Sequence, residues 1–302
     1  MNSMKLSLAP VSYFWSKADT QAFYVDIINS PVDIVYLGEV VCSRRNLMKF
    51  DDWFELAKEL KKAGKSVVIS TQTLIDNESD RRSMRRLIER AIEADITVEA
   101  NDFSAVRVLH QQGQRFVAGP HLNVYHTDTM NWLASLGATR FTLPFEMSGS
   151  DLQALQASRA EGLETEVHVW GRLALAFSAR CFTARHHRLK KDECEFRCEN
   201  YPDGLSLSTR ERKIFLNLNG IQTQSASCLD LGTQIPDLAA MKIDVLRLQP
   251  QSQHTASIIE HFDAARHQLQ AAIVPDELLP IAAARSNGYW FGSAGMQWQQ
   301  AS

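Results

Sequence analysis

Five cysteines carry the chemistry that this sequence makes most visible: Cys42, Cys181, Cys194, Cys198 and Cys228. Three of them fall in the pattern Cys181-x12-Cys194-x3-Cys198, close enough in one loop-rich stretch to converge on a single metal centre. Three thiolates need a fourth ligand. Cys42 follows the second expected strand and so reaches the rim where the loop after strand seven also emerges. Cys228 lies in an apolar, strand-like context that suits a small buried core residue, with replacement of Cys42 as its alternative role. Spacing alone does not separate a four-cysteine zinc site from an iron–sulfur cluster, and unliganded thiols are the third reading. Segment 1–11 has no apolar run of leader length, and no stretch reaches the roughly 18 apolar residues of a membrane span. The expectation is a cytoplasmic chain whose thiols stay reduced and serve metal binding or catalysis instead of disulfides.

The loop 180–198 carries Arg180, Arg185, Arg188, Lys190, Lys191 and Arg197 against Asp192, Glu193 and Glu195. Such cations favour thiolates and draw anionic ligands, and an exposed, hydrated basic loop is the plainer reading. His186 and His187 are adjacent, so they do not point the same way, and they read as surface histidines. Further polar groups fall at the expected ends of strands: Glu39, Asn101, His121, Asn123, Glu146, Trp170 and Arg172. Together they suit one concave mouth, and singly each suits capping or loop hydrogen bonding, with Asn101 a candidate N-cap. Glu39, His121, Asn123, Glu146 and Arg172 are the candidates for catalysis. No HExxH, P-loop or GxSxG motif is present, so zinc-protease, NTPase and serine-hydrolase chemistry lack their usual groups.

The elements that must position these residues follow from an alternation of short β-rich runs and longer helical periodicities, the signature of βα units around a parallel sheet. Eight strands are expected, at 5–9, 34–38, 66–71, 96–99, 115–118, 140–143, 166–170 and 244–249. In the stretch 50–63, Phe50, Trp53, Phe54, Ala57 and Leu60 share a helix face, and Gly64 stops the helix. The stretch 79–94 places Met84, Leu87, Ile88 and Ala91 likewise, with Arg81, Arg82, Arg85, Arg86 and Arg90 on a solvated face broken by Glu89 and Glu93. Eight such units make a TIM-type (β/α)8-like barrel, and 302 residues suit a single barrel-like domain over 1–302. The segment 171–236 is too long for one crossover and reads as a Cys-rich insertion after strand seven, with a hairpin signalled by Asn219-Gly220. The tail after Pro275 has no assignable pattern. The net charge of −3 gives no general reason to expect nucleic-acid binding.

The run Glu166-Val-His-Val-Trp-Gly-Arg-Leu-Ala-Leu-Ala-Phe-Ser-Ala-Arg-Cys181, followed by Cys194 and by Cys198 before Asn200-Tyr201, resembles the signature of the collagenase-like peptidases, the U32 family. The blocks Gly119-Pro-His-Leu-Asn-Val-Tyr125 and Leu143-Pro-Phe-Glu-Met-Ser148 resemble two more of its motifs, and the likeness extends over roughly 5–270. Within the family, Leu8-Ala-Pro-Val11 and Tyr36-Leu-Gly-Glu-Val-Val-Cys-Ser-Arg-Arg45 resemble the branch that serves ubiquinone biosynthesis. That resemblance implies a [4Fe–4S] cluster on Cys42, Cys181, Cys194 and Cys198, and a heterodimer with UbiU that hydroxylates ubiquinone precursors anaerobically, without molecular oxygen. It also implies prephenate as oxygen donor and a sterol-carrier-type lipid-binding accessory protein. Pro144-Phe145 before Glu146, and Trp170, depart from the family pattern and imply a lost or altered substrate pocket, with the catalytic site mainly on the partner. An RNA-modifying hydroxylase of the same family and a non-catalytic scaffold or electron-relay subunit are the alternatives. Peptidase chemistry is not expected, because four thiolates would leave zinc no open position.

Overall fold

The computed structural model describes residues 4–281 and 283–300. Eight short parallel strands build the centre: β1 (Lys5–Leu8), β2 (Ile34–Leu37), β3 (Ser66–Ser70), β4 (Thr97–Ala100), β5 (Phe116–Ala118), β6 (Ala138–Thr142), the first half of β7 (Glu164–Phe177), and, after β8 (Leu205–Ser208), β9 (Ile214–Asn219) and β10 (Gln222–Asp230), the closing strand β11 (Val245–Leu248). Because β11 pairs in parallel with both β7 and β1, the sheet closes into a TIM-type barrel. The helices that coat it are α1 (Lys17–Ile28), α2 (Phe50–Lys62), α3 (Glu78–Glu93), α4 (Phe103–Gln111), α5 (Thr127–Ser135), α6 (Gly149–Ala157), the short α7 (Phe182–His186) in the cysteine loop, α8 (Ile235–Ala240) and α9 (Thr255–Gln268).

Alternation along each strand sends one set of side chains outward and the other into the barrel. Leu6, Val35, Ile69, Val98, Phe141, Val167 and Leu246 join the apolar layer under the helices. Trp53, Phe54, Ala57 and Leu60 of α2 meet that layer, as the helical periodicity requires, each large side chain contributing about 2 kcal/mol of burial. Inside, a small apolar group of Ile34, Tyr36, Val68, Val117 and Val245 is separate from it. The caps are local: Asn77 accepts from Asp80 N to start α3, and Asp102 caps α4. Asn101, expected as that cap, instead ends β4 with its side chain inward, because the next residue already offers a carboxylate to the helix N–H groups.

Besides shifts of one or two residues at strand ends, two features differ from expectation. Strand seven does not stop at residue 170 but continues to Phe177, so 171–177 belong to β7. Gly171 makes this possible: it sits at φ +118°, and a Cβ there would come within 2.3 Å of the Gln249 Cβ. Beyond it β7 leaves the barrel and pairs antiparallel with β10, which pairs with β9 and then β8, forming an arm above the barrel mouth. The hairpin turn is one residue later than expected. Asn219 and Gln222 are the last paired residues and Gly220-Ile221 form the loop, because the Asn219 side chain is held by Ser12 O and Gln222 Oε1. The tail contributes β12 (Arg285–Ser286), parallel to β10, and lays Trp290 on Gly149 at the start of α6.

Candidate metal centre and barrel mouth

Cys42, Cys181, Cys194 and Cys198 all line one small cavity, with Arg44, Arg45 and Arg197 in the same wall. Cys42 lies on the loop after β2, Cys181 at the start of α7, and Cys194 and Cys198 in the two turns beyond it. The last pair is brought back onto the cavity by consecutive left-handed residues, Glu195 at φ +49° and Phe196 at φ +51°, an uncommon backbone for side chains of this size. Packing over-determines it, since the Phe196 ring lies 5.7 Å from that of Phe14, which also carries the Arg45 guanidinium at 5.5 Å. Cys228 is elsewhere, fully buried in β10 opposite Arg172.

Long-range polar contacts tie these loops together. Arg44 donates to Asp192 Oδ1 at 3.0 Å and to Asp192 O at 2.7 Å, joining the Cys42 loop to the Cys194 turn. Arg45 donates to Ser12 O and to Asn219 Oδ1, and Gly220, at φ +66°, admits it: a Cβ there would meet Nη2 at 2.9 Å. Phe182 N donates to Gly220 O and Gly220 N to Thr183 Oγ1, seating Cys181 against the hairpin. Glu39 is turned the same way: its Oε1 accepts from Val41 N and Cys42 N and lies 3.9 Å from Arg45. It therefore braces the Cys42 loop.

Burial pushes the thiols of Cys42, Cys181 and Cys198 above the ordinary range, opposed for each by the Arg45 guanidinium, and charge on one thiol raises its neighbours. Metal binding at such sulfurs releases protons. Among the described residues no three His, Cys, Asp or Glu side chains stand at the spacing that holds a single metal ion. The fit to an iron–sulfur cluster is carried by the donor set: four sulfurs on one cavity, three arginines to balance an anionic centre, and apolar side chains behind. Of the basic loop only Arg197 reaches this wall, paired with Glu195 at 2.6 Å, and His187 is engaged with the Tyr201 hydroxyl.

Behind Cys42 and Cys181 stands an apolar partition of Val40, Val41, Ile221 and Phe177, and the barrel mouth beside it forms a second small cavity. His121, Asn101 and Arg172 of the rim candidates line it, together with His168, Arg247 and Gln249. Rings run from the partition across this mouth: Phe177 lies 4.9 Å from His121, His121 5.7 Å from Phe145, and Phe145 4.4 Å from His168. Burial depresses the His121 pKa to about 3, with repulsion from Arg247 adding to it, and lowers that of His168 for the same two reasons, so both rings are neutral at pH 7. Asn101 Oδ1, His168 Nε2 and Arg172 Nε are buried without a hydrogen-bond partner among the described residues.

The other rim candidates do not meet here. Asn123 is exposed at φ +55°, and Glu146 is exposed and accepts from the Tyr125 hydroxyl; neither lines the mouth. The chain turns after Leu122 and Pro144 carry both residues outward. Trp170 faces the helix layer, 6.3 Å from Phe262 of α9, because the bulge opposite Leu248 puts it out of phase with His168. Sequence reasoning missed the barrel interior. There Arg247 bridges Glu99 (2.6 Å) and Glu166 (3.3 Å), Ser70 donates to Glu99, and Ser7, Tyr36 and Thr142 donate to Glu166. The signal was available as period-two polarity, Glu166 and His168 in one strand and Glu99 and Asn101 in another, within runs read only as β-rich.

Three solved structures are similar to this chain at low identity. The U32 peptidase Mk0906 is 14% identical over 83% of this chain and 94% of its own, with TM-score 0.46. A tryptophan synthase complex from Pyrococcus furiosus is 10% identical (87% and 90%, TM-score 0.44), and a GH18 chitinase from Pseudoalteromonas aurantia 9% identical (87% and 99%, TM-score 0.47). The barrel assignment accordingly rests on the strand pairing itself. The family model described as peptidase family U32 matches residues 22–285, nearly the whole of the barrel and its arm, and the chain belongs to that family.

Proposed function

We propose that this chain is a UbiV-type iron–sulfur subunit that acts with UbiU in the oxygen-independent hydroxylation of the aromatic ring of ubiquinone precursors. The observation that carries the reading is the meeting of Cys42 with the distant group Cys181, Cys194 and Cys198 on one cavity. The resemblance of the Tyr36–Arg45 block and of the cysteine block adds the substrate class. Cys42, Cys181, Cys194 and Cys198 would hold a [4Fe–4S] cluster, which when bound supplies one-electron transfer. The rest of the site is the work of this chain's own residues. Arg44, Arg45 and Arg197 offset the negative charge of the thiolates, Glu39 and Asp192 hold the loops that carry them, and Val40, Ile221 and Phe177 keep water from the side facing the mouth.

Within this reading the catalytic centre lies mainly on the partner, and this subunit serves as scaffold and electron relay. The placement of the polar groups favours that division: of Glu39, His121, Asn123, Glu146 and Arg172, only His121 and Arg172 line the mouth, and Arg172 is committed to the Ser225 and Ala226 carbonyls. Prephenate as oxygen donor and a sterol-carrier-type protein presenting the prenylated intermediate complete the proposed complex, in the cytoplasm. Peptidase activity is not part of it. Among the described residues no helix is long and apolar enough to cross a membrane.

The test is anaerobic complementation. A host lacking its own copy of this chain, but retaining UbiU, is expected to make ubiquinone without oxygen when it expresses the wild type and to accumulate unhydroxylated precursor with Cys194→Ala. Full ubiquinone synthesis by the Cys194→Ala strain would overturn the proposal, and so would its absence with the wild-type chain.

A further inference from the structure

A third cavity lies outside the two already described, on the barrel rim between the loop after β2 and the first turns of α2 and α3. It is the most spacious of the three, with about 1130 Å³ of open space. That is ample for a small molecule, and rims at the C-terminal ends of barrel strands are where ligands bind. Its deeper wall is apolar and partly aromatic: Met48, Phe50, Trp53, Met84 and Leu87. Five charged side chains also line it, and their commitments differ. Glu39 is spent on the Cys42 loop, and Asp80 accepts from Asn77 Nδ2 at 2.8 Å within the α3 cap. Arg45, its side chain 2% exposed, uses Nη1 and Nη2 on Ser12 and Asn219 but leaves Nε without a partner. Arg86 lies over the Phe50 ring at 6.0 Å, and among the described residues neither it nor Lys49 makes an ion pair. The carboxylates and Arg45 are therefore engaged, and Arg86 and Lys49 are the cations left for a ligand, beside the aromatic wall.

We infer that this cavity binds a small aromatic molecule bearing an anionic group, its ring against Phe50 and Trp53 and its anion toward Arg86 and Lys49. Rings stack there by offset or edge contacts, and the cations supply orientation. Arg45 walls both this cavity and the cysteine cavity, so the ligand sits one side chain from the thiols. The inference rests on the cavity alone and stands apart from the cluster proposal.

The experiment is calorimetric titration of the full, anaerobically purified chain with 4-hydroxybenzoate, and with phenol as the uncharged ring. Saturable one-to-one binding is expected, about tenfold weaker for phenol and for Arg86→Glu, and abolished in Ser83→Trp, which fills the space. Circular dichroism melts show that each variant is folded, and Arg86→Glu, at an exposed helix position, keeps the test open should Ser83→Trp unfold. No saturation at millimolar probe, or wild-type affinity in Arg86→Glu, would overturn the inference. Iron and sulfide assayed on the same samples report on the cluster separately: a cluster-free chain that binds the probe leaves this site standing, and a loaded chain that ignores it removes this site alone.

Discussion

The barrel interior and the cysteine cavity both gather polar groups from distant parts of the chain, and they resolve them in opposite ways. Inside the barrel, Arg247, Glu99 and Glu166 are almost wholly buried, and each carboxylate oxygen meets the guanidinium, a hydroxyl or both. The carboxylates are thus fully met, and of the guanidinium Nε is left without a hydrogen-bond partner among the described residues. On the rim, four thiols face one cavity and find no strong partners among themselves, while the polar contacts around them, Arg44 to Asp192 and Glu39 to Cys42 N, hold the backbone in place. Carboxylates met by a cation and hydroxyls belong to the scaffold, whereas thiols whose loops are held by other contacts, and that lack strong partners among themselves, are arranged for something else.

The largest effect should come from the scaffold side. Arg247→Leu leaves Glu99 and Glu166 buried without their cation, and denaturant unfolding should show a loss of about 3–5 kcal/mol. A loss under about 1 kcal/mol would break the contrast. The two histidines at the mouth give a smaller, pH-dependent effect. Their folded pKa values are depressed below the unfolded value near 6.5, so the stability of the neutral rings is fully present above pH 6.5 and falls as the pH drops toward 3. At pH 5 His121 alone accounts for up to about 2 kcal/mol. His121→Gln should therefore lose less stability than wild type between pH 7 and pH 5, and parallel curves would contradict the assigned burial. Smaller still, Cys228→Ala should cost about 1 kcal/mol through lost packing. Its thiol, which burial pushes up to about 12, takes no part in the rim cavity, and metal content should not change. Smallest is Cys181→Ala in metal-free protein. A half-buried thiol with one 3.4 Å contact, from Ala184 N, should move stability by no more than about 0.5 kcal/mol, and an unchanged metal content in this variant would end the comparison.

The eight barrel strands were legible because each has an outward apolar side and a turn signal after it, with ends shifting by one or two residues. Strand seven was cut short because Gly171 reads as a stop, and only the close approach of Gln249 shows that it serves a continuing, bent strand. The cysteine set could be grouped from spacing and strand order. The arginines beside it could not: the sequence pointed to the charged loop 180–198, whereas Arg44 and Arg45 arrive from the loop after β2 through contacts 148 and 174 residues long. Trp170, Asn123 and Glu146 were misplaced because position at a strand end does not fix direction when a bulge (Trp170), a left-handed residue (Asn123) or a turn (144–147, before which β6 has ended) intervenes. His168 and the interior triad were hidden in strands whose apolar outer faces dominate the pattern.

The central claim is that the four rim cysteines hold one iron–sulfur cluster and the fifth holds none. Anaerobic purification, with iron and acid-labile sulfide assays and a visible spectrum for wild type and each single Cys→Ala variant, tests it most directly. About four irons and four sulfides per chain are expected, lost in the Cys42, Cys181, Cys194 and Cys198 variants and kept in Cys228→Ala. Zinc in their place, no metal at all, or a cluster that survives loss of any one rim cysteine while depending on Cys228 would contradict it.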